Sequence, residues 1–146
     1  MITREQVMSA LVMRLSSASF VTVSRRNRGP DAIQASATPA LMLIGHKEFY
    51  DRPALSLPAK IILHVLAIIY VDVGTDENAV PDAVLNPLLD ALSASLAPDS
   101  PQTGRCTFGG LVQSVMIDGE IEKAPGDVTG KGLAVVPLTI TFMQTI

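Results

Sequence analysis

From Thr3 to Ser17, apolar residues fall at Val7, Met8, Leu11, Val12 and Leu15, the spacing of a helix with one apolar stripe. Thr3 followed three residues later by Gln6 fits a capping box at its start. The period then changes to that of strands. Phe20 to Ser24 reads as a short strand, and Ala40 to Gly45 as a second. Between them, Gly29 to Pro39 is rich in small residues and proline and reads as a loop. Phe49 to Pro58 holds two prolines among polar residues and reads as a turn or exposed loop.

Ala59 to Val73 is the longest strand. Its odd positions (Ile61, Leu63, Val65, Ala67, Ile69, Val71) are all apolar, which marks one face as core. Its even positions mix Lys60, His64, Tyr70 and Asp72 with Ile62, Leu66 and Ile68, so the second face is partly apolar and needs a cover of its own. Gly74 to Asn78 is a polar turn. Val84, Leu85, Leu88, Leu89, Leu92 and Leu96 then build the buried stripe of a second helix. Pro87 inside that stripe predicts either a short turn over Pro81 to Leu85 with a helix capped by Asn86, or one helix kinked at the proline. Ala97 to Gly104 reads as a loop. Leu111 to Glu122 and Leu133 to Thr145 read as the last two strands, joined by a Gly-rich hairpin connection over Lys123 to Gly132. Pro137 predicts an edge position or a bulge in the final strand.

This order predicts a single α+β domain over residues 1–146: a mostly antiparallel sheet of about five strands with two helices packed on one face. The free sheet face would be covered by a neighbouring subunit.

Composition sharpens that expectation. The chain has 146 residues, 48% of them apolar and only 17% charged. It can bury a real core, which excludes disorder as a global description. A soluble monomer needs a charged surface, and this chain is poorly supplied, so much of its surface is expected against other protein. The net charge of −3 lacks the basic excess of a dedicated nucleic-acid binder. One cysteine, Cys106, excludes an internal disulfide and a zinc cage. The N-terminal Met1-Ile2-Thr3-Arg4-Glu5 lacks the pattern of a signal peptide, and Ile61 to Val71 spans about half the ~20 residues of a membrane helix.

Candidate chemistry is sparse. His46 and His64 have no Cys or second His at ligand spacing. Arg105 adjoins Cys106 and could lower a thiol pKa, but no oriented base follows, so the thiol reads as inert. No Gly-x-Ser-x-Gly turn occurs, and Gly109-Gly110 lacks the ending of a phosphate loop. No metal, no cofactor and no enzymatic activity are therefore expected. Two charge groups remain. Arg25, Arg26 and Arg28 cluster at a strand end and suit an intersubunit contact to carboxylates, a solvated turn or, less well, nucleic acid. Asp118, Glu120 and Glu122 alternate along one predicted strand, with Met116 continuing their face and Ile117 and Ile121 inward. They are either a solvated face or an acidic wall of a channel.

Four stretches resemble a known family. They are Val84-Leu85-Asn86-Pro87-Leu88-Leu89-Asp90-Ala91-Leu92; Phe108-Gly109-Gly110-Leu111-Val112 with Ile117-Asp118-Gly119-Glu120-Ile121-Glu122; Ala134-Val135-Val136-Pro137-Leu138-Thr139-Ile140; and the N-terminal Ile2-Thr3-Arg4-Glu5-Gln6 leading to Phe20-Val21-Thr22-Val23-Ser24-Arg25-Arg26. Across about 60% of the chain, they resemble the small tail terminator (tail-completion) proteins of tailed bacteriophages, the group that includes minor tail protein U. Gly29 to Lys60 shows little match.

The resemblance implies a virion protein, made in the host cytoplasm, that forms a homo-oligomeric ring, usually a hexamer. The ring caps the head-proximal end of the tail tube, ends tube polymerisation and offers a surface to head-completion proteins, while DNA passes through its lumen. In that setting Asp118, Glu120 and Glu122 would line the lumen and repel phosphates. Arg25, Arg26, Arg28, Ile62, Leu66 and Ile68 would make intersubunit or partner contacts. A tail-tube or head–tail adaptor subunit has the same patterning, and a small ligand-binding or enzymatic α+β domain is the reading from another class.

Overall fold

The computed structural model describes residues 1–29, 32–76, 78–124 and 130–145. Its elements follow the order α1 (Arg4–Ser16), β1 (Thr22–Ser24), a 3-10 turn (Ala35–Ala37), β2 (Ala40–Asp51), β3 (Ala59–Asp72), α2 (Pro81–Ser95), β4 (Ser114–Ile117), β5 (Glu122–Ala124) and β6 (Lys131–Gln144). The fold is α+β, with a sheet of six strands, one more than the sequence pattern predicts. Strand order is β1-β2-β3-β6-β4, and β5 pairs with β6 beyond β4. All pairings are antiparallel except β1 with β2.

Both helices lie on one face. Val7, Met8, Leu11 and Leu15 of α1 and Leu85, Leu88 and Leu92 of α2 share one core with Ile61, Leu63, Val65, Ala67, Ile69 and Val71 of β3 and Ala134, Val136, Leu138, Ile140 and Phe142 of β6. Helix α1 begins at the expected capping box: Thr3 Oγ1 accepts from Gln6 N at 3.2 Å, and Gln6 Oε1 accepts from Thr3 N at 2.8 Å.

Helix α2 is continuous through Pro87 and starts at Pro81, with Val80 as N-cap. Asn86 is therefore not a cap. The proline removes a backbone donor, a local penalty of ~3 kcal/mol, but Leu85, Leu88 and Leu92 on both sides of it are buried in the core, and that packing holds the helix together. Pro87 itself is exposed, and so is Val84, which the buried stripe had included.

Strand β2 runs past the expected end at Gly45 to Asp51, so Phe49 to Asp51 is strand rather than turn. A register shift between Gly45 and Lys47 leaves His46 as the extra residue of a bulge. The distal half of β2 carries no alternating apolar pattern because it is exposed throughout; β3 templates it through the pairs Lys47–His64 to Asp51–Lys60.

The strand predicted over Leu111 to Glu122 is two pieces. β4 ends at Ile117, β5 starts at Glu122, and Gly119 between them has φ +117°. Ile121, expected inward, is exposed. Strand β6 is central, between β3 and the β4/β5 pair, so Pro137 is not on an edge; it lies opposite the break. Parts of three predicted connections fall outside the described residues: Pro30 and Asp31 in the first loop, Glu77 in the polar turn, and residues 125–129 in the Gly-rich hairpin.

Candidate assembly surfaces

The sheet face opposite the helices decides what this chain offers to other molecules. Even positions of β3 and odd positions of β6 point there: Ile62, His64, Leu66, Ile68 and Tyr70 beside Val135, Pro137, Thr139, Thr141 and Met143. Its upper part is covered by the chain itself. Ile33, Ala40, Met42 and Tyr70 form a second, smaller core, with Ala37, Ile44, Ile68 and Leu133 packed against it. Ile33 and Ala37 thus bring their segment back over the sheet. Burial there pushes the Tyr70 hydroxyl above its ordinary pKa, since phenolate is the form that loses solvation.

Among the described residues, the lower part has no such cover. Ile62 and Leu66 are half-buried there and belong to neither core. The bulge at His46 adds to this face, because one extra residue reverses the side to which each later side chain of β2 points. Phe49 therefore sits beside Ile62, and it is 58% exposed. Met116 of β4, opposite Thr139, extends the patch at the far side and is also exposed. Of the three apolar residues expected at contacts, Ile62 and Leu66 are available, while Ile68 is partly taken up by the chain's own second core.

The acidic trio is not on one strand, since β4 has ended before Asp118. Two of the three nevertheless reach the outer face. Asp118 Oδ2 accepts from Thr139 Oγ1 at 3.4 Å, and Glu122 is paired with the outward Val135. All three carboxylates are exposed. Lys123, next to Glu122, points the other way and ties β5 to α2: its Nζ donates to Asn86 Oδ1 at 2.6 Å and pairs with Asp82 at 2.6 Å. The hydrogen bond from Lys123 to Asp82 and the positive charge hold the Asp82 carboxyl below its usual range.

His64 Nδ1 lies 3.5 Å from the same Thr139 hydroxyl. The hydroxyl donates to Asp118 and, with His64 in its Nδ1–H tautomer, can accept from the ring at the same time, although both separations are long for hydroxyl hydrogen bonds. This is a polar line across an open sheet face. Among the described residues, no three His, Cys, Asp or Glu side chains are grouped as metal ligands.

The arginine cluster divides. Arg25 makes a two-pronged pair within its own chain, donating to Glu5 of α1 at 2.7 and 2.9 Å. The hydrogen bond and charge of Arg25 lower the Glu5 pKa, and Glu5 in turn raises that of Arg25. Arg4 does likewise with Glu48 of β2, at 2.7 to 3.0 Å. These two pairs flank a groove of about 320 Å³ between the start of α1 and the β2 bulge, floored by Met8, Leu43, Leu63 and Val65. Arg25 is thus a strut between α1 and the end of β1, while Arg26 and Arg28 are exposed at the sheet's margin.

Asp99 was not singled out by sequence reading, yet it organises the loop before β4. Its Oδ1 accepts from the Thr107 amide and hydroxyl, each at 2.8 Å, and its Oδ2 from the Gly109 amide at 3.1 Å and Arg14 at 3.4 Å. These donors, the Gly109 amide foremost, hold its pKa below the usual value of 3.8. Asp99 in a Pro/Ser/Asp loop was the available signal, but its partners lie eight and ten residues on, with Arg14 on a separate helix. Cys106 is buried, with Arg14 Nη2 at 3.6 Å from its sulfur.

The chain matches no protein-family model and no curated protein. No helix of the described residues is long and apolar enough to cross a membrane.

Proposed function

We propose that this chain is a structural subunit of a ring that closes the head-proximal end of a phage tail tube, ending tube polymerisation and presenting a surface for head joining. The observation that supports the reading is the lower outer sheet face, where Ile62, Leu66 and Phe49 stand without cover from either helix or from the loop that shields the upper part. Exposed apolar side chains of this kind, here with His64 and Thr139 between Ile62 and Leu66, suit contact with other protein. A ring needs two different complementary surfaces on each subunit. The margins of this face differ in charge: Lys47 and Lys60, with Asp51, lie on the β2/β3 side, and Asp118 and Glu122 on the β4/β5 side.

In this arrangement the apolar middle of the face is buried by the neighbouring subunit. The acidic residues at its β4/β5 margin, with Glu120, face the lumen and keep DNA phosphates from adhering. The resemblance of the chain's N-terminal and C-terminal stretches to tail terminators supplies the identity of the tube; a ring subunit of the tube or neck shares the same surface logic. The test is to incubate the protein with purified tail-tube subunits. A terminator halts growth and appears as a ring at tube ends in negative stain. Incorporation along the tube points to a tube subunit, and absence of any binding overturns the reading.

A further inference from the structure

The β2 side of the sheet ends in an open edge. β1 pairs with β2 only at Ala40–Met42, and among the described residues no strand lies on the outer side of β2, away from β3, from Leu43 to Asp51. Backbone N–H and C=O groups on such an edge are ready to accept another strand. The bulge at His46 interrupts the edge, and beyond it Lys47–Asp51 is a regular run paired with β3 on its inner side.

The side chains of that run are arranged symmetrically. Lys47, Phe49 and Asp51 point to the outer face, opposite His64, Ile62 and Lys60. Phe49 is the exposed apolar centre, with a cation two residues before it and an anion two residues after. Neither Lys47 nor Asp51 has an ion-pair partner in its own chain among the described residues. On the helix side, Glu48 is held by Arg4, and Arg52 lies over the Tyr50 ring at 5.8 Å.

We propose that two copies of this chain associate through this edge, antiparallel, with the two-fold axis at Phe49. The register follows from the charges. With the axis at Phe49, the two phenylalanines meet and each Lys47 stands opposite an Asp51, so both charge pairs are satisfied across the strands. An axis at Glu48 opposes two glutamates, and an axis at Lys47 opposes two lysines. An axis at Tyr50 sets Phe49 against Asp51 and leaves Lys47 beyond the strand's end. Leu55 and Leu57 at the hairpin tip, 86% and 47% exposed, add apolar surface alongside. A contact this small belongs to the weak, concentration-dependent class. The proposal does not rest on the ring reading, although Lys47 and Phe49 also border the outer face that reading uses; this contact is made by the backbone edge of β2.

Sedimentation velocity over a concentration series tests it. The wild-type protein is expected to shift from monomer to dimer as concentration rises. Lys47→Asp sets Asp against Asp51 and should weaken the dimer more than tenfold, while the double variant Lys47→Asp/Asp51→Lys restores it. Phe49→Cys should form a symmetrical disulfide under mild oxidation, because strand partners lie within about 4.5–5.5 Å between Cα atoms, the range a disulfide spans; Cys106 is buried and does not compete. All substituted positions are exposed, and thermal melts check that each variant folds. A wild-type protein monomeric at several hundred micromolar, a dimer indifferent to Lys47→Asp, or a charge swap that fails to rescue overturns the proposal. Rings that form on tube ends while the free protein shows no dimer sensitive to Lys47→Asp would leave the ring reading standing while removing this one.

Discussion

Gly119 lies against the ring of Pro137: a Cβ added to Gly119 would meet Pro137 Cγ at 3.3 Å. The two residues explain one another. Pro137 O accepts from Asp118 N at 3.0 Å, and in an antiparallel ladder a residue's N–H and C=O face the same neighbour. The hydrogen that proline lacks would therefore have pointed at the gap between β4 and β5, not at β3. The long β3–β6 ladder loses nothing, and a proline sits in a central strand without penalty.

Gly119 has φ +117°, a conformation that side chains rarely adopt, and it is crowded by the proline besides. Gly119→Ala should lower stability by about 1–3 kcal/mol, read as a drop in urea midpoint. An unchanged midpoint would show that the 118–121 segment can rearrange freely.

Leu88 and Leu92 follow Pro87 on the buried stripe of α2. Each replaced by Ala should cost about 2–5 kcal/mol, whereas Val84→Ala on the exposed side should stay within about 0.5 kcal/mol. Thermal melts of the three variants check the orientation of the helix, since a reversed order of effects is incompatible with it.

Acid should weaken the fold through three carboxylates. Hydrogen bonds from Gly109 and Thr107 depress Asp99, Arg25 depresses Glu5, and Lys123 depresses Asp82. A group with a lowered folded pKa contributes stability that is complete above its unfolded value, here 3.8 for the aspartates and 4.5 for Glu5, and that disappears as pH falls through the folded value. Stability should therefore decline below about pH 4. Asp99→Asn should flatten part of that decline; denaturation curves between pH 2 and 6 on the same buffer series would reveal an identical slope if the loop contacts did not matter.

Reversing Asp118, Glu120 and Glu122 to lysine should leave the fold intact, because all three are exposed. On the proposed ring reading, a phage carrying this variant should pass DNA more slowly. Full infectivity with normal ring assembly would argue against a lumenal position for these residues.

Cys106 should react with a thiol reagent only after unfolding, given its burial beside Arg14. Labelling at the rate of a free thiol in native buffer would place the 97–112 loop further from the core than it is here.

What the amino-acid pattern determined is the set of long amphipathic elements. The odd positions of β3 and the even positions of β6 face the helices as alternation requires, and the Thr3–Gln6 box begins α1 where local chemistry demands it. Those features depend on nearest neighbours along the chain, so they are legible without the fold. Tertiary structure decided the rest. Pro87 stays inside α2 because leucines on both sides are buried together. The distal half of β2 is a strand because β3 pairs with it, although its own side chains carry no alternation. The acidic residues 118, 120 and 122 alternate as a strand would, yet the chain breaks there because Gly119 and Pro137 meet. Arg25 finds Glu5, and Asp99 finds Thr107 and Gly109, by partnerships that no local spacing encodes. Burial and long-range pairing outweigh local preference wherever a distant segment supplies the stronger contact.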